Sequence, residues 1–170
     1  MPFDRQPTLE GQLVRVRPLR AEDREALYRV ASDPLIWEQH PDKARSTPEG
    51  FGRFFDESLS SGGALVIHDA ATGALIGSSR YQGHDEAASE IEIGWTFLAR
   101  SHWGGRYNAD LKRIMLEHAF RQVRRVVFLI GPQNVRSQRA VQKLGAVPAG
   151  SRRDGTGRES LVFSLTRPNG

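Results

Sequence analysis

Two stretches of this chain carry residue types and spacings suited to holding and moving charge. The first, Arg100-Ser101-His102-Trp103-Gly104-Gly105-Arg106-Tyr107-Asn108, lies where a strand pattern ends and a helix pattern begins. Adjacent glycines there permit backbone angles closed to other residues and let a ligand approach the main chain. The helix behind them offers unpaired N–H groups and the positive end of its dipole, the ingredients of a phosphate cradle. Arg100 and Arg106 add guanidinium groups able to pair with phosphate oxygens. A plain strand-to-helix turn would use the same glycines and needs no ligand. The second stretch runs from Asn134 to Ala146. Asn134 suits a helix cap. Ser137, one turn in, falls on the apolar side, where a hydroxyl either bonds back to the helix or faces a ligand.

Glu90 and Glu92 alternate with Ile91 and Ile93, so both carboxylates project from one face of a strand. Burial side by side raises one pKa toward neutrality, where a carboxylate can take a proton from an ammonium, directly or through water. Glu92 is nearer the glycine loop and is the first candidate base. Glu90 and bulk water are the alternatives, and a solvated charged face is the reading without chemistry. Trp37-Glu38-Gln39-His40 groups an aromatic, a carboxylate and an imidazole, either as an acceptor-side loop or as a packed Trp with solvated neighbours. His118 falls on an apolar stripe and reads as core, while His68 and His84 stand alone, so no metal-ligand spacing appears.

The elements that must position these residues follow from periodicity. Residues 13–19 alternate as a half-buried strand, and a helix over 21–32 ends at Asp33-Pro34. Thr47-Pro48 starts a helix whose Phe51, Phe54, Phe55 and Leu59 form a stripe closed by Gly62-Gly63. Strands at 64–69 and 74–82 form a hairpin, and a third at 89–98 sets Ile91, Ile93, Trp95 and Phe97 on one face. A helix over 107–122 turns Leu111, Ile114, Met115, His118 and Ala119 to the sheet. The unbroken apolar run Val126–Ile130 reads as a strand covered on both faces. A helix over 134–144 stops at Gly145, and strands near 146–152 and 159–166 flank the turn Asp154-Gly155-Thr156-Gly157. A meander followed by a strand–helix–strand crossover predicts a mixed sheet with helices on both sides, not a doubly wound one.

The bulk properties agree with one ordinary domain over residues 1–170, with 38% hydrophobic and 26% charged residues. The N-terminal residues lack the apolar stretch of a secretory signal, and no run is long enough to span a membrane. The absence of cysteine excludes disulfides, thiolate metal sites and a Cys nucleophile, and fits a cytoplasmic location. A net charge of +4 suits an anionic partner, either nucleic acid or a small polyanion. No glycine–lysine phosphate loop and no Gly-x-Gly-x-x-Gly occurs, which argues against nucleotide hydrolases and dinucleotide enzymes.

Across nearly its whole length the chain resembles the GCN5-related N-acetyltransferase (GNAT) superfamily, and within it the RimJ/RimL-like branch of ribosomal-protein N-terminal acetyltransferases. The resemblance rests on the strand order, on Trp103-Gly104-Gly105-Arg106-Tyr107 at the family's pyrophosphate loop, and on Asn134, Ser137 and Lys143-Leu144-Gly145 at its second cofactor segment. Ser101 stands where Gln or Arg is usual, and Arg106 where a second Gly or Ala is usual, which offers a guanidinium to the phosphates. Val141 stands where many members carry a tyrosine acid. The resemblance implies a single α+β, three-layer domain with a mixed, mostly antiparallel sheet of six to seven strands. It implies transfer of an acetyl group from acetyl-CoA to a primary amine by direct attack, without metal. It nominates Ser137 as the proton donor and gives cofactor contacts to Phe97, Leu98 and Ala99, to the loop 100–108 and to Asn134. The acceptor, a small amine or a peptide N-terminus, enters by the region 33–62, and a second copy of the chain is a further partner the family admits.

Two other classes stay open on sequence alone. A CoA-binding module without turnover fits the missing tyrosine. A basic RNA-binding protein fits Lys112, Arg113, Arg121, Arg124 and Arg125, although RNA-recognition aromatics and a helix-turn-helix are absent.

Overall fold

Alternating apolar residues in the first half of the chain build an antiparallel meander, and the 3.6-residue periodicity of the second half builds a crossover onto it. The computed structural model describes residues 2–154 and 157–168. In chain order the elements are β1 (Leu9–Glu10), β2 (Val14–Pro18), α1 (Arg24–Ala31), α2 (Pro48–Ser61), β3 (Ala64–Asp69), β4 (Leu75–Asp85) and β5 (Glu90–Leu98). They continue with α3 (Arg106–Phe120), β6 (Arg125–Ile130), α4 (Val135–Lys143), β7 (Val147–Arg153) and β8 (Glu159–Thr166). Among the described residues the eight strands form one sheet ordered β1-β2-β3-β4-β5-β6-β8-β7. Every neighbouring pair is antiparallel except β5 and β6.

The helices divide between the two faces. Leu27 and Ala31 of α1 pack with Phe51, Phe54 and Phe55 of α2 against Val66 and Phe97. On the other face Leu111, Met115 and Ala119 of α3 and Val141 of α4 meet Ile91, Ile93, Val126 and Phe128. Local chemistry sets the helix ends. Thr47 Oγ1 accepts the Gly50 N–H at 3.1 Å to open α2, and Gly62, at φ 72°, closes it in the left-handed region. The Asp110 carboxylate on α3 accepts the N–H groups of Gln12, Leu13 and Val14 and ties α3 to the start of β2. No helix among the described residues is long and apolar enough to cross a membrane.

The elements fall where periodicity places them, with three departures. β1 is an eighth strand that pairs only with β2; two residues are too short to show a period. Leu59 is 38% exposed, outside the core that takes Phe51, Phe54 and Phe55. Residues 155–156 of the expected closing turn lie outside the described residues. The third departure concerns β5. Ile91 and Ile93 pack on the α3 side, whereas Phe97 and Trp95 pack on the α1–α2 side. The alternation therefore slips by one residue, which only an extra residue in the strand can do.

Phe55 lies at the centre of the α1–α2 layer at 1% exposure. Phe55→Ala is expected to remove about 3–5 kcal/mol of stability through lost transfer energy and a residual cavity. Urea unfolding should show a lower midpoint with an unchanged slope, and a loss below about 1 kcal/mol would contradict this packing.

Candidate active site

The slip in β5 creates the site. Arg80 pairs with Gly94 and Ser78 with Phe97, so Ser79 alone stands opposite Trp95 and Thr96. Trp95 takes φ 53°, a left-handed angle rare for a bulky residue, and it is the inserted residue of a β-bulge. β5 and β6 pair through Glu90↔Arg125, Ile91↔Val126 and Glu92↔Val127 and no further. Beyond that point β5 stays with β4 as far as Leu98, and β6 stays with β8 as far as Ile130. The sheet forks, and a gap opens between residues 93–98 and 128–130. Glu92 sits at the apex of the fork.

The structure separates the two candidate carboxylates. Glu90 is buried and is gripped by Arg152 at 3.2 Å and by Arg125 at 3.4 Å. Glu92 makes no hydrogen bond among the described residues, and its Oε2 lies over Gly94, 3.3 Å from where a side chain there would begin. Burial pushes its pKa up to about 7, against the opposing pull of Arg152 and Arg80, and Glu90 adds a minor like-charge push. The cause is therefore desolvation rather than the expected carboxylate pair. On the same face Arg80, 2% exposed, stacks 4.3 Å above the Trp95 ring and donates to Glu57 and Ser58.

At the far end of β5 the loop to α3 forms the cradle. Gly104 and Gly105 both hold positive φ, 112° and 99°, and a side chain on either would project into open space. Gly105 caps α3 without a side-chain hydrogen bond, so the first-turn N–H groups have no capping partner. Arg106 is exposed, with no partner among the described residues. Asn108 is half-buried beside it. These features fit a pyrophosphate: backbone donors, a helix N-terminus and a free guanidinium.

The remaining expected contacts are distributed differently. Arg100 is committed to Asp33, whose pKa its hydrogen bond lowers, and it lines a cavity of about 490 Å³ on the α1 side with Val30 and Leu75. Its guanidinium is engaged by Asp33, and its side chain remains 45% exposed. Ser101 Oγ meets His102 Nδ1 at 2.8 Å, and His102 Nε2 meets Asp69 at 2.9 Å, wiring the turn to the end of β3. Tyr107 packs edge-on against His102. Ala99 gives its N–H to Ile76, so by strand alternation the backbone groups of Leu98 face the gap. The Leu98 carbonyl accepts the Trp103 indole N–H at 2.9 Å, which leaves the Leu98 N–H free for a ligand, while the Phe97 ring packs into the α1–α2 core.

α4 closes the mouth. Asn134 accepts the Ser137 N–H at 3.3 Å and so acts as the helix cap. Arg136 lies 4.2 Å over the Trp103 ring, gives its backbone N–H to Gln39 and donates to the Ile36 carbonyl. The Trp37–His40 segment is thereby fixed against the cleft: Trp37 is buried, and burial lowers the His40 pKa to about 4. Ser137 is half-buried and its hydroxyl has no partner among the described residues.

Sequence reasoning missed Arg80, Arg136 and Lys112. Lys112 stood out only in the expected basic stripe, yet it is 4% exposed. Its spacing of three from Met115 and seven from Ala119 marks the sheet-facing side of α3, which was the available signal. Arg113 pairs with Asp110 and Glu117, and Arg125 with Glu90, whereas Arg121 and Arg124 are exposed. His118 is a core residue, its Nε2 against the Asp4 carbonyl. Among the described residues no cluster of His, Cys, Asp or Glu could hold a metal ion.

Residues 14–147 match the family described as an acetyltransferase (GNAT) domain. No curated protein matches the chain. A solved structure from T. thermophilus, named as an acetyltransferase, is 27% identical, with 98% of this chain and 90% of that one covered at a TM-score of 0.75. A GCN5-related N-acetyltransferase from Brucella melitensis is 22% identical over 95% of this chain and 79% of that one, with a TM-score of 0.81. Mycobacterium smegmatis RimJ in complex with CoA-disulfide is 21% identical over 95% and 86%, with a TM-score of 0.68. The last two share the fold.

The raised pKa of Glu92 predicts a pH-dependent penalty. The folded protein holds this proton up to about pH 7, whereas the unfolded chain releases it near 4.5. Stability from this group is therefore full at acid pH and lost as pH rises through 7. Glu92→Gln should melt above the wild type at pH 8 and converge with it near pH 5, read by calorimetry. An equal difference at both pH values would show that Glu92 is not desolvated.

Proposed function

The chain belongs to the GNAT acetyltransferase family, and on that premise we propose that it moves an acetyl group from acetyl-CoA to a primary amine, with Glu92 as base and Ser137 as proton donor. The observation that carries this reading is the placement of an unpaired, desolvated carboxylate at the apex of the fork, on the strand that leads to a glycine-capped helix N-terminus. When bound, acetyl-CoA supplies a thioester carbonyl as the electrophile. The N–H groups around Gly104 and Gly105 and the Arg106 side chain hold the anionic end, and the Leu98 N–H fixes the strand-like middle. Glu92, ionised above about pH 7, accepts the proton of the incoming ammonium and leaves a neutral amine able to attack. Alignment of amine and carbonyl in one cleft supplies much of the rate. Val141 is buried packing and has no proton to give, so the donor falls to the unpartnered Ser137 hydroxyl.

The acceptor side lies on the α1–α2 face, where Trp37 and the α2 phenylalanines pack with Trp95, and Arg80 reaches Glu57 and Ser58 of α2. The fold is shared with a Vibrio cholerae structure named as a ribosomal-protein-serine acetyltransferase, which supports a protein N-terminus as acceptor, and a small-molecule amine is the alternative. A cytoplasmic location and self-association belong to the same proposal.

CoA should raise the thermal midpoint, since a ligand selective for the folded state stabilises it by mass action. Gly104→Val should weaken CoA at least tenfold, about 1.4 kcal/mol, in a protein whose circular dichroism is unchanged. An unmoved melting curve at millimolar CoA would remove the cofactor reading, and undiminished affinity in the folded variant would move the phosphates elsewhere.

The two proton roles separate by pH. Glu92→Gln should lower kcat strongly at neutral pH and less at high pH, where free amine is abundant. Ser137→Ala should lower kcat by a smaller factor without that recovery and leave CoA affinity unchanged. A pH–rate profile over an amine panel decides both, and wild-type rates for Glu92→Gln across the range would hand the base to Glu90 or to water.

A further inference from the structure

Lys112 is the buried basic side chain that the transfer reaction does not use. It projects from α3 to the underside of the sheet, and its amine donates to Thr96 Oγ1 at 2.7 Å. Burial alone lowers its pKa, to about 7, and no carboxylate contributes. A lysine without a counter-ion in such a place is destabilising, and an apolar side chain would fill the position better. Its neighbours account for its presence. Thr96 Oγ1 meets Ser79 Oγ at 2.8 Å, and Ser79 Oγ lies 3.5 Å from the Gly94 carbonyl. With the Ser79 hydrogen directed at Gly94, Thr96 donates to Ser79, and the chain runs Lys112 to Thr96 to Ser79 to Gly94. It brackets Trp95, the residue at φ 53°. From the opposite face Arg80 stacks on the Trp95 ring at 4.3 Å.

A backbone angle of this kind is strained and persists only where the surroundings over-determine it. Here two buried basic side chains, Lys112 and Arg80, hold the bulge, one on each face of the sheet. We infer that Lys112 is a positioning residue for the acetyl-CoA cleft, clamping the β5 bulge through Thr96 so that β5 parts from β6 and presents its free backbone edge. This rests on the acetyl-CoA reading above. The clamp acts on backbone geometry and not on the reacting atoms, so its loss is felt in cofactor binding more than in the proton steps.

Lys112→Met keeps the length of the side chain and removes the amine that donates to Thr96. The expected result is a melting temperature equal to or above the wild type, with CoA affinity by calorimetry weakened about tenfold or more, KM for acetyl-CoA raised and kcat less affected. Hydrogen exchange at residues 94–96 should quicken while the rest of the sheet stays protected, a readout that needs no ligand. Thr96→Val removes the same bond from the other side and should reproduce the loss. The double variant should be no worse than either single one, because both break one link. Loss of melting temperature without loss of CoA affinity would make Lys112 merely structural, and additive effects of the two substitutions would break the link to Thr96. If the wild type itself fails to bind CoA, the functional reading and the cleft role both fall, while unchanged exchange at 94–96 in Lys112→Met overturns the clamp alone.

Discussion

One inserted residue organises this molecule. Trp95 adds a position to β5 that β4 does not match, and the strand bends where Ser79 faces two residues instead of one. A regular β5 would keep pairing with β6 beyond Glu92 and fill the sheet with hydrogen bonds from end to end. The bulge gives up that pairing, and the gap it leaves has unpaired backbone on one side and two covering helices behind. Each element of the candidate site is set by this bend. Glu92 is the last paired residue before the fork, Leu98 the last strand residue after it, and the glycine loop begins where the bent strand delivers the chain to α3.

Charge is arranged around the fork by unequal treatment of similar groups. Glu90 and Glu92 differ by two positions on one face, yet two arginines hold Glu90 while Glu92 is left desolvated with distant cations. A carboxylate near pH 7 is able to hold or release a proton under ordinary conditions, whereas a doubly paired one is not. The basic side chains divide in the same way. Arg100, Arg125 and Arg152 are taken up by Asp33 and Glu90, Arg80 and Lys112 are buried against the bulge, and Arg106 remains free at the helix N-terminus. A net charge of +4 therefore says less about partners than the placement of one unpaired arginine does.

Much of the fold was legible because its signals are local. Thr47-Pro48 and Gly62 delimit α2 by their own hydrogen bonding and φ preferences, and Asn134 and Gly145 do the same for α4. The glycine pair at 104–105 announced the helix entry in the same way. The bulge was not legible, because Ile91, Ile93, Trp95 and Phe97 continue an apolar alternation straight through it. Only the register of β4 shows that Trp95 and Phe97 have changed faces. Long-range pairing was hidden for a similar reason. Arg100 and Asp33 are 67 positions apart, and nothing near Arg100 shows that its charge is spent there. Lys112 read as surface because lysine is almost always exposed, although its spacing on α3 pointed inward.

The central claim is that the fork between β5 and β6 is the seat of the acetyl donor. A crystal structure of the protein with CoA tests it most directly. The account predicts the pyrophosphate within hydrogen-bond reach of the N–H groups of residues 104–108 and the pantetheine arm lying in the gap opposite Leu98, with its sulfur end toward Glu92. Phosphates bound against another surface, or β5 and β6 paired beyond Glu92 with the arm excluded, would contradict it.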